Sequence, residues 1–88
     1  MTGKTREILS YPVITEDAIS QIEAENKLVY IVDRKATERE ITKIFEERYE
    51  VQVEKVNSLI TPKGEKKAYI KLKTEFKAVD LAIKIGLL

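Results

Sequence analysis

A row of lysines interrupted by one tyrosine lies near the carboxyl end of the chain. The segment reads VNSLITPKGEKKAYIKLK over residues 56–73, and its second half alternates between apolar and polar side chains. In an extended strand, the four polar side chains of this second half lie on one side, and successive ones are about 6.6 Å apart. They are Lys67, Tyr69, Lys71 and Lys73. Lysines neutralise phosphates and an aromatic ring stacks on a base, so the pattern indicates nucleic-acid binding.

The same pattern has a plainer interpretation. Lysines also form the ordinary polar side of a half-buried strand, and they protect sheet edges from aggregation. From this strand alone, both interpretations stay open. The preceding turn, Thr61 to Glu65, has Pro62 to fix φ and Gly64 to accept a positive φ, which predicts a short hairpin connection. That turn carries Lys63 and leads into Lys66.

Residues that catalysis commonly needs are scarce. The chain has no cysteine and no histidine, so it lacks disulfides, thiolate metal ligands and the commonest general base. Ser10, Ser20 and Ser58 have no base to activate them, and three glycines form no phosphate loop. We therefore expect no enzyme, no cofactor, no metal site and no small-molecule substrate.

Length and hydropathy predict a single domain without membrane contact. Eighty-eight residues suffice for one small core, so we expect one domain over residues 1–88. Residues 1–7 are polar and charged, with no apolar targeting segment. The longest apolar run, Leu28 to Val32, is far shorter than the roughly 20 residues of a membrane span. We expect an intracellular protein.

Charge is distributed unevenly along the chain. Residues 1–26 hold two basic and five acidic side chains, whereas residues 51–88 hold eight lysines and four acids. The overall net charge of +1 therefore hides a basic carboxyl-terminal half. Surface ion pairs of the kind found in heat-adapted proteins would also explain the high charge density.

Local signals predict four strands and three helices. Extended segments are expected at residues 8–14, interrupted by Pro12 as at a sheet edge, and at residues 27–33. Thr15 and Asn26 mark the ends of a first helix, and Thr37 with Glu40 forms a capping box for a second. A third strand from Val51 carries a bulge at residues 54–55, and a last helix covers residues 77–85.

This order predicts the fold class α/β (α+β). Strands two and three, joined through a helix, should be parallel, and the hairpin places the antiparallel fourth strand between them. The result is a mostly antiparallel four-stranded sheet with a split β-α-β unit. Because the second strand is apolar on both sides, we expect helices on both faces.

The hairpin sequence resembles a known family signature. Residues 56–72 are similar to the signature of the large-subunit ribosomal protein L23 family, in its archaeal and eukaryotic form. The likeness extends over almost the whole chain. Family-like residues elsewhere are Pro12, Thr15, Glu16, Ala18, Asn26, Ala36, Thr37, Glu40, Ile41, Asp80, Ala82, Lys84, Ile85 and Gly86. The short turn resembles the archaeal type, because bacterial members carry a long loop there.

The resemblance implies a structural protein of the cytoplasmic ribosome. It implies binding to large-subunit ribosomal RNA at the rim of the polypeptide exit tunnel, beside a small helical ribosomal protein. It also implies a docking site for the signal recognition particle and other nascent-chain factors. Asp17, Glu38 and Thr42 replace lysines usual in the family, so no RNA contact is carried over to them. The expected RNA-binding residues are Lys63, Lys66, Lys67, Tyr69, Lys71 and Lys73, with Lys43.

Acidic side chains are expected to face away from RNA, since like charges repel over a Debye length of about 8 Å. The residues expected to meet solvent or a basic protein partner are Glu46, Glu47, Glu50, Glu23 and Glu25. A plain solvated helix surface is the alternative. For the whole chain, the alternative function is a small non-catalytic interaction or regulatory module that pairs through its sheet edge. A generic module has no reason to carry the hairpin signature.

Overall fold

The computed structural model describes residues 8–88 and contains seven elements in one sheet-based unit. They are β1 (Leu9–Pro12), α1 (Glu16–Glu25), β2 (Lys27–Val32), α2 (Glu38–Tyr49), β3 (Val53–Ile60), β4 (Lys66–Leu72) and α3 (Ala78–Ile85). The expectation that residues 1–7 carry no targeting segment concerns residues outside this range. Within residues 8–88, no helix is both long and apolar enough to cross a membrane.

The sheet has the predicted topology. Its strand order is β1-β2-β4-β3, and every neighbouring pair is antiparallel. Since β4 is antiparallel to both neighbours, β2 and β3 run parallel to each other, as the split β-α-β unit requires. The fold is therefore α+β, as predicted, with β1 at one edge and β3 at the other.

Helix ends follow the local sequence signals. Thr15 Oγ1 accepts a hydrogen bond from the Ala18 N–H at 3.3 Å, and Thr37 and Glu40 form the reciprocal capping box at 3.1 and 3.0 Å. Asn26 ends α1 in the left-handed conformation with φ 56°, and Gly86 ends α3 with φ 97°. These starts and ends need only short-range contacts, which explains why sequence predicts them.

The hairpin turn and the bulge also match expectation. The Thr61 N–H donates to the Glu65 carbonyl at 2.8 Å, and Gly64 adopts φ 87°, a value that favours glycine. Along β3, the pairing with β4 shifts between Val53 and Lys55, which leaves Glu54 as the bulged residue.

The core lies on one side of the sheet. Alternate residues of β2 and β4 enter it, and each is almost completely buried; they are Leu28, Tyr30, Val32, Ala68, Ile70 and Leu72. All three helices add side chains to this one cluster, among them Ile22, Ile41, Phe45, Leu81 and Ala82. One of these helices, α1, also borders the opposite side of the sheet, where Ala18 and Gln21 line a hollow with Val29.

Two apolar side chains on the other side of β2 are the ones that predicted helices on both faces. Val29 and Ile31 are buried, yet neither belongs to the core cluster. They pair across the sheet with Tyr69 and Lys67. A tyrosine ring and a lysine stem can cover apolar neighbours, because cross-strand partners lie only about 5 Å apart. On this side, residues of α1 also line a hollow with Val29.

An aromatic cluster joins α2 to the sheet. Tyr30 meets Phe45 edge to face at 5.7 Å between ring centroids, and Phe45 lies 4.8 Å from Tyr49. The hydroxyls of Tyr30 and Tyr49 are hydrogen-bonded at 2.7 Å. Burial, followed by this hydrogen bond, raises the pKa of Tyr30. The cluster therefore keeps α2 on the core side and leaves the opposite side of the sheet uncovered by it.

Candidate nucleic-acid interface

The side of the sheet opposite the core carries three of the seven predicted RNA-binding residues, namely Lys67, Tyr69 and Lys71. We call it the basic face and define it by the side chains of three strands that lie in register. They are Lys27, Val29 and Ile31 of β2, Lys67, Tyr69 and Lys71 of β4, and Lys55, Asn57 and Leu59 of β3. Cross-strand partners point to the same side of a sheet, so these nine side chains form one surface.

One row of this face is wholly cationic. Lys71 pairs with Lys27 on one side and Lys55 on the other, and adjacent strands are about 4.8 Å apart. Like charges in directly opposed positions destabilise a sheet. Lys27 is compensated by Glu25, whose carboxylate lies 3.1 Å from its Nζ. Within residues 8–88, neither Lys55 nor Lys71 forms an ion pair. Glu54 in the bulge lies on the same side of β3 as Lys55, because Val53 and Val56 both face the core, so the row retains a net positive charge that is reduced but not cancelled.

The other two rows are mixed. Tyr69 lies between Val29 and Asn57, and Lys67 lies between Ile31 and Leu59. On β4 these side chains are half-buried, whereas Asn57 and Leu59 on β3 are exposed, Leu59 by 47%. The basic face thus combines cations with an aromatic ring, an amide and an exposed apolar side chain.

Two further predicted residues border this face. Lys63 is exposed in the hairpin turn, beyond the ends of β3 and β4. Lys73 follows the last residue of β4 and is also exposed, and its N–H donates to the Gln52 carbonyl at 3.0 Å. Lys73 is thereby fixed just beyond the cationic row.

Two of the predicted RNA-binding lysines do not share this surface. Lys66 pairs with Val32 and Ile60, so its side chain projects toward the core side, where its Nζ donates to the Ala36 carbonyl. Lys43 is exposed on α2, which packs on the core side as well. Residues that alternate along a strand cannot share a face with their immediate neighbours, so Lys66 and Lys67 are separated.

Three residues of the basic face were not expected there from the sequence: Lys27, Lys55 and Asn57. The signal for the last two was the bulge at Glu54, which fixes the side on which each later residue of β3 lies. Val56 is buried on the core side, so Lys55 and Asn57 must lie on the other. The position of Lys27 on this face depends on the pairing of β2 with β4, which is a tertiary contact that local sequence signals do not predict.

A hollow lies between α1 and the basic face. Its volume is about 280 Å³, and it is lined by Val13, Thr15, Asp17, Ala18, Gln21, Val29, Lys67 and Tyr69. Gln21 Oε1 is buried there and accepts no hydrogen bond from residues 8–88. Asp17 therefore lines the same hollow as Lys67 and Tyr69.

A hydrogen bond links the first strand to the hairpin turn. The Tyr11 hydroxyl donates to Glu65 Oε2 at 2.8 Å. This bond to a carboxylate raises the pKa of Tyr11, with a smaller contribution from desolvation. Both residues line a second, more apolar hollow of about 670 Å³ together with Pro62 and Lys63.

The acidic residues expected to contact a protein partner do not form one surface. Glu47 and Glu50 are exposed on α2, away from the basic face. Glu46 is half-buried, and its Oε2 accepts the Val53 N–H at 2.8 Å, so it fixes the start of β3. Glu23 and Glu25 are exposed on α1, where Glu25 is paired with Lys27 of the basic face.

The exposed side of α2 is also less acidic than expected. Arg39, Lys43 and Arg48 are exposed among its glutamates, so Glu47 and Glu50 lie on a surface of mixed charge. In the described part of the chain, no group of three or more His, Cys, Asp or Glu side chains could hold a metal ion.

Comparisons with known proteins agree on one family. The family model described as Ribosomal protein L23 matches residues 7–79. A protein of Pyrobaculum aerophilum named Large ribosomal subunit protein uL23 is 55% identical over 76 residues, which cover 86% of this chain and 94% of the relative. A protein of the same name from Methanococcus aeolicus is 44% identical over 81 residues, which cover 92% and 94%.

Proposed function

The chain belongs to the ribosomal protein L23 family, and on that basis we propose that it binds large-subunit ribosomal RNA through its basic face. The family gives it a structural role in the large ribosomal subunit, and such proteins are generally not enzymes. Both archaeal relatives carry the name of a large-subunit protein. We propose further that it is a component of cytoplasmic ribosomes and lies near the polypeptide exit tunnel.

One observation carries the RNA-binding proposal. Lys55, Lys67 and Lys71 lie on one open side of the sheet, and none has a carboxylate within ion-pair distance among residues 8–88. Uncompensated lysines on one surface repel each other, and RNA phosphates remove that repulsion while releasing counterions. Lys63 and Lys73 extend the same surface at its two ends.

Phosphate contacts make RNA affinity dependent on salt. With five lysines on five phosphates, log K against log salt is expected to have a slope of about −3.5 to −4.5. Fluorescence anisotropy of a labelled large-subunit RNA fragment, titrated over a range of KCl concentrations, measures this slope. A slope close to zero would mean that the contacts are not ionic and would contradict the proposal.

The assignment to the ribosome is tested in cells. We expect the tagged protein to sediment with the large subunit on a sucrose gradient in both low and high salt, because a structural component is held by many contacts. A protein that stays at the top of the gradient in low salt would instead favour an interaction module that pairs through its edge strand.

We also propose that the side of the protein away from RNA contributes to docking of nascent-chain factors such as the signal recognition particle. The proposal is supported by the position of α2, which lies on the core side of the sheet while the basic face lies on the other. Exposed Glu47 and Glu50 therefore remain accessible when RNA covers the basic face. We also expect that a small helical ribosomal protein lies beside this protein in the large subunit.

Charge reversal on α2 tests this docking. We expect Glu47→Lys and Glu50→Lys, assembled into subunits, to slow association of the signal recognition particle several-fold in low salt, because rim charges steer encounter. The effect should fade as salt rises. Glu75→Lys is the matched control, because Glu75 is an exposed carboxylate in the loop before α3. Equal on-rates for all three variants and the parent would mean that the exposed side of α2 is only solvated surface and takes no part in docking.

A further inference from the structure

Several features of the basic face are not explained by phosphate binding. Neutralising phosphates requires lysines only, yet Tyr69 lies at the centre of the face, between Lys67 and Lys71 along β4. Asn57 beside it is exposed, and Leu59 is 47% exposed although apolar. The hollow next to Tyr69 is lined by polar groups of α1. Together these features are typical of a surface that contacts bases as well as the backbone.

The hollow has the dimensions and the walls of a small binding site. Its volume of about 280 Å³ is at the low end for ligand pockets and suits a group the size of one nucleobase. Tyr69 and Val29 line it from the sheet, and Ala18 and Gln21 line it from α1. Lys67 also lines it, so a base in the hollow would have a cation near its own phosphate.

We propose that this hollow binds one unpaired nucleobase of RNA, stacked against Tyr69, while Lys67 and Lys71 hold the phosphates on either side of it. The proposal rests on the proposed RNA-binding function and specifies its ligand. Each of the two lysines lies about 6.6 Å from Tyr69 along the strand, roughly twice the 3.4 Å rise of stacked bases in one strand. An RNA strand whose phosphates contact both lysines must therefore unstack its bases at Tyr69.

A duplex fits the same surface poorly. The bases of double-stranded RNA are stacked within the helix, and proteins bind it through phosphates and 2′-hydroxyls. A duplex would place its charged backbone over the apolar rings and side chains of the middle row, including Tyr69 and Val29. Only an unpaired base can offer a flat apolar surface to Tyr69, so single-stranded RNA is the ligand class that this face favours.

The polar groups of the hollow favour a base with an amino group. Asp17 and Gln21 line it, and a carboxylate accepts hydrogen bonds but donates none. Gln21 Oε1 has no donor among residues 8–88, and rotation about its last side-chain torsion would turn it toward a bound base. Cytosine presents an amino donor where uracil presents an oxygen acceptor. We therefore expect cytosine to bind more tightly than uracil.

The test uses three fluorescent RNA probes of equal length: oligocytidylate, oligouridylate and a blunt duplex. We expect the parent protein to prefer either single strand to the duplex, and oligocytidylate to oligouridylate by about 2- to 12-fold, the effect of one hydrogen bond. Tyr69→Leu should weaken binding of both single strands about 5- to 150-fold, because base–aromatic stacking is lost. Tyr69→Phe should bind like the parent.

Two controls separate stacking from charge and from folding. The salt slope of Tyr69→Leu should equal that of the parent, because no phosphate contact is removed. Gln21→Leu should remove the preference for oligocytidylate while leaving oligouridylate affinity unchanged. Urea unfolding of each variant establishes that the measured protein is folded, and Gln21→Leu tests base binding in the hollow if Tyr69→Leu is too unstable to use.

The outcomes distinguish this inference from the function on which it rests. If Tyr69→Leu binds single strands as the parent does while Lys67→Glu does not, RNA binding stands and the stacking site is overturned. Preference for the duplex overturns it as well. If the parent binds no RNA probe and no large-subunit RNA fragment, the proposed function itself fails.

Discussion

Reversing the charges of Lys55, Lys67 and Lys71 together is expected to abolish binding of a large-subunit RNA fragment. At 0.1 M salt, each neutralised phosphate contributes about 0.7 to 0.9 decades of affinity through counterion release, so three lost contacts weaken binding about 100- to 500-fold. Three new carboxylates on the same surface add repulsion to this loss. Anisotropy titrations at fixed salt measure the change.

The fold is expected to survive this triple substitution. All three side chains lie on the side opposite the core, and none forms an ion pair within residues 8–88. Removing three neighbouring like charges and adding three others keeps the repulsion within the sheet similar. The far-UV spectrum and the unfolding midpoint should therefore stay close to those of the parent.

A second triple variant controls for net charge. Lys43, Lys77 and Lys84 are exposed, lie outside the basic face and lose the same total charge when changed to glutamate. Substantially weaker loss of RNA affinity in this control would assign binding to the basic face. Equal loss in both triple variants would mean that only the overall charge matters, and the site would be misplaced. Lys66 is left intact in both variants, because its bond to the Ala36 carbonyl supports the fold.

Much of the fold could be predicted because its signals are local. The capping box at Thr37 and Glu40 and the turn around Gly64 each depend on residues within a few positions of each other. The strand order followed from the short hairpin and the crossover rule. Alternation along β4 placed Lys67, Tyr69 and Lys71 together without any knowledge of their neighbours.

The parts that could not be predicted depend on contacts between distant segments. Glu46 seemed an ordinary helix-surface residue, but the chain turns back after α2 and brings the Val53 N–H to its carboxylate. Lys55 joins the cationic row only because β3 pairs with β4 after a bulge.

Asn26 joins, through its side chain, segments that are distant in sequence. It ends α1 in the left-handed conformation and directly precedes β2. Its Nδ2 donates to the carbonyls of Leu72 at 3.2 Å and Phe76 at 2.9 Å, and its Oδ1 accepts the Ala78 N–H at 2.7 Å. One amide thereby fixes the end of β4 and supplies the N–H of the first residue of α3 with an acceptor. Lys77, the N-cap residue of α3, makes no side-chain capping bond.

We therefore expect Asn26→Ala to lower the free energy of unfolding by about 3–5 kcal/mol. Three hydrogen bonds contribute roughly 0.5–1.5 kcal/mol each, and a left-handed alanine costs roughly 1 kcal/mol more than a left-handed asparagine. That is a large share of the 5–15 kcal/mol typical of a domain. Urea unfolding followed by circular dichroism measures the loss.

Asn26→Gly separates the two causes. Glycine adopts positive φ freely, so it should recover about 1 kcal/mol of the loss while still lacking the three hydrogen bonds. The expected order of stability is therefore parent, then Asn26→Gly, then Asn26→Ala, with the larger gap between the parent and Asn26→Gly. If Asn26→Gly proves as stable as the parent, the side-chain bonds contribute nothing and only the backbone conformation matters at this position.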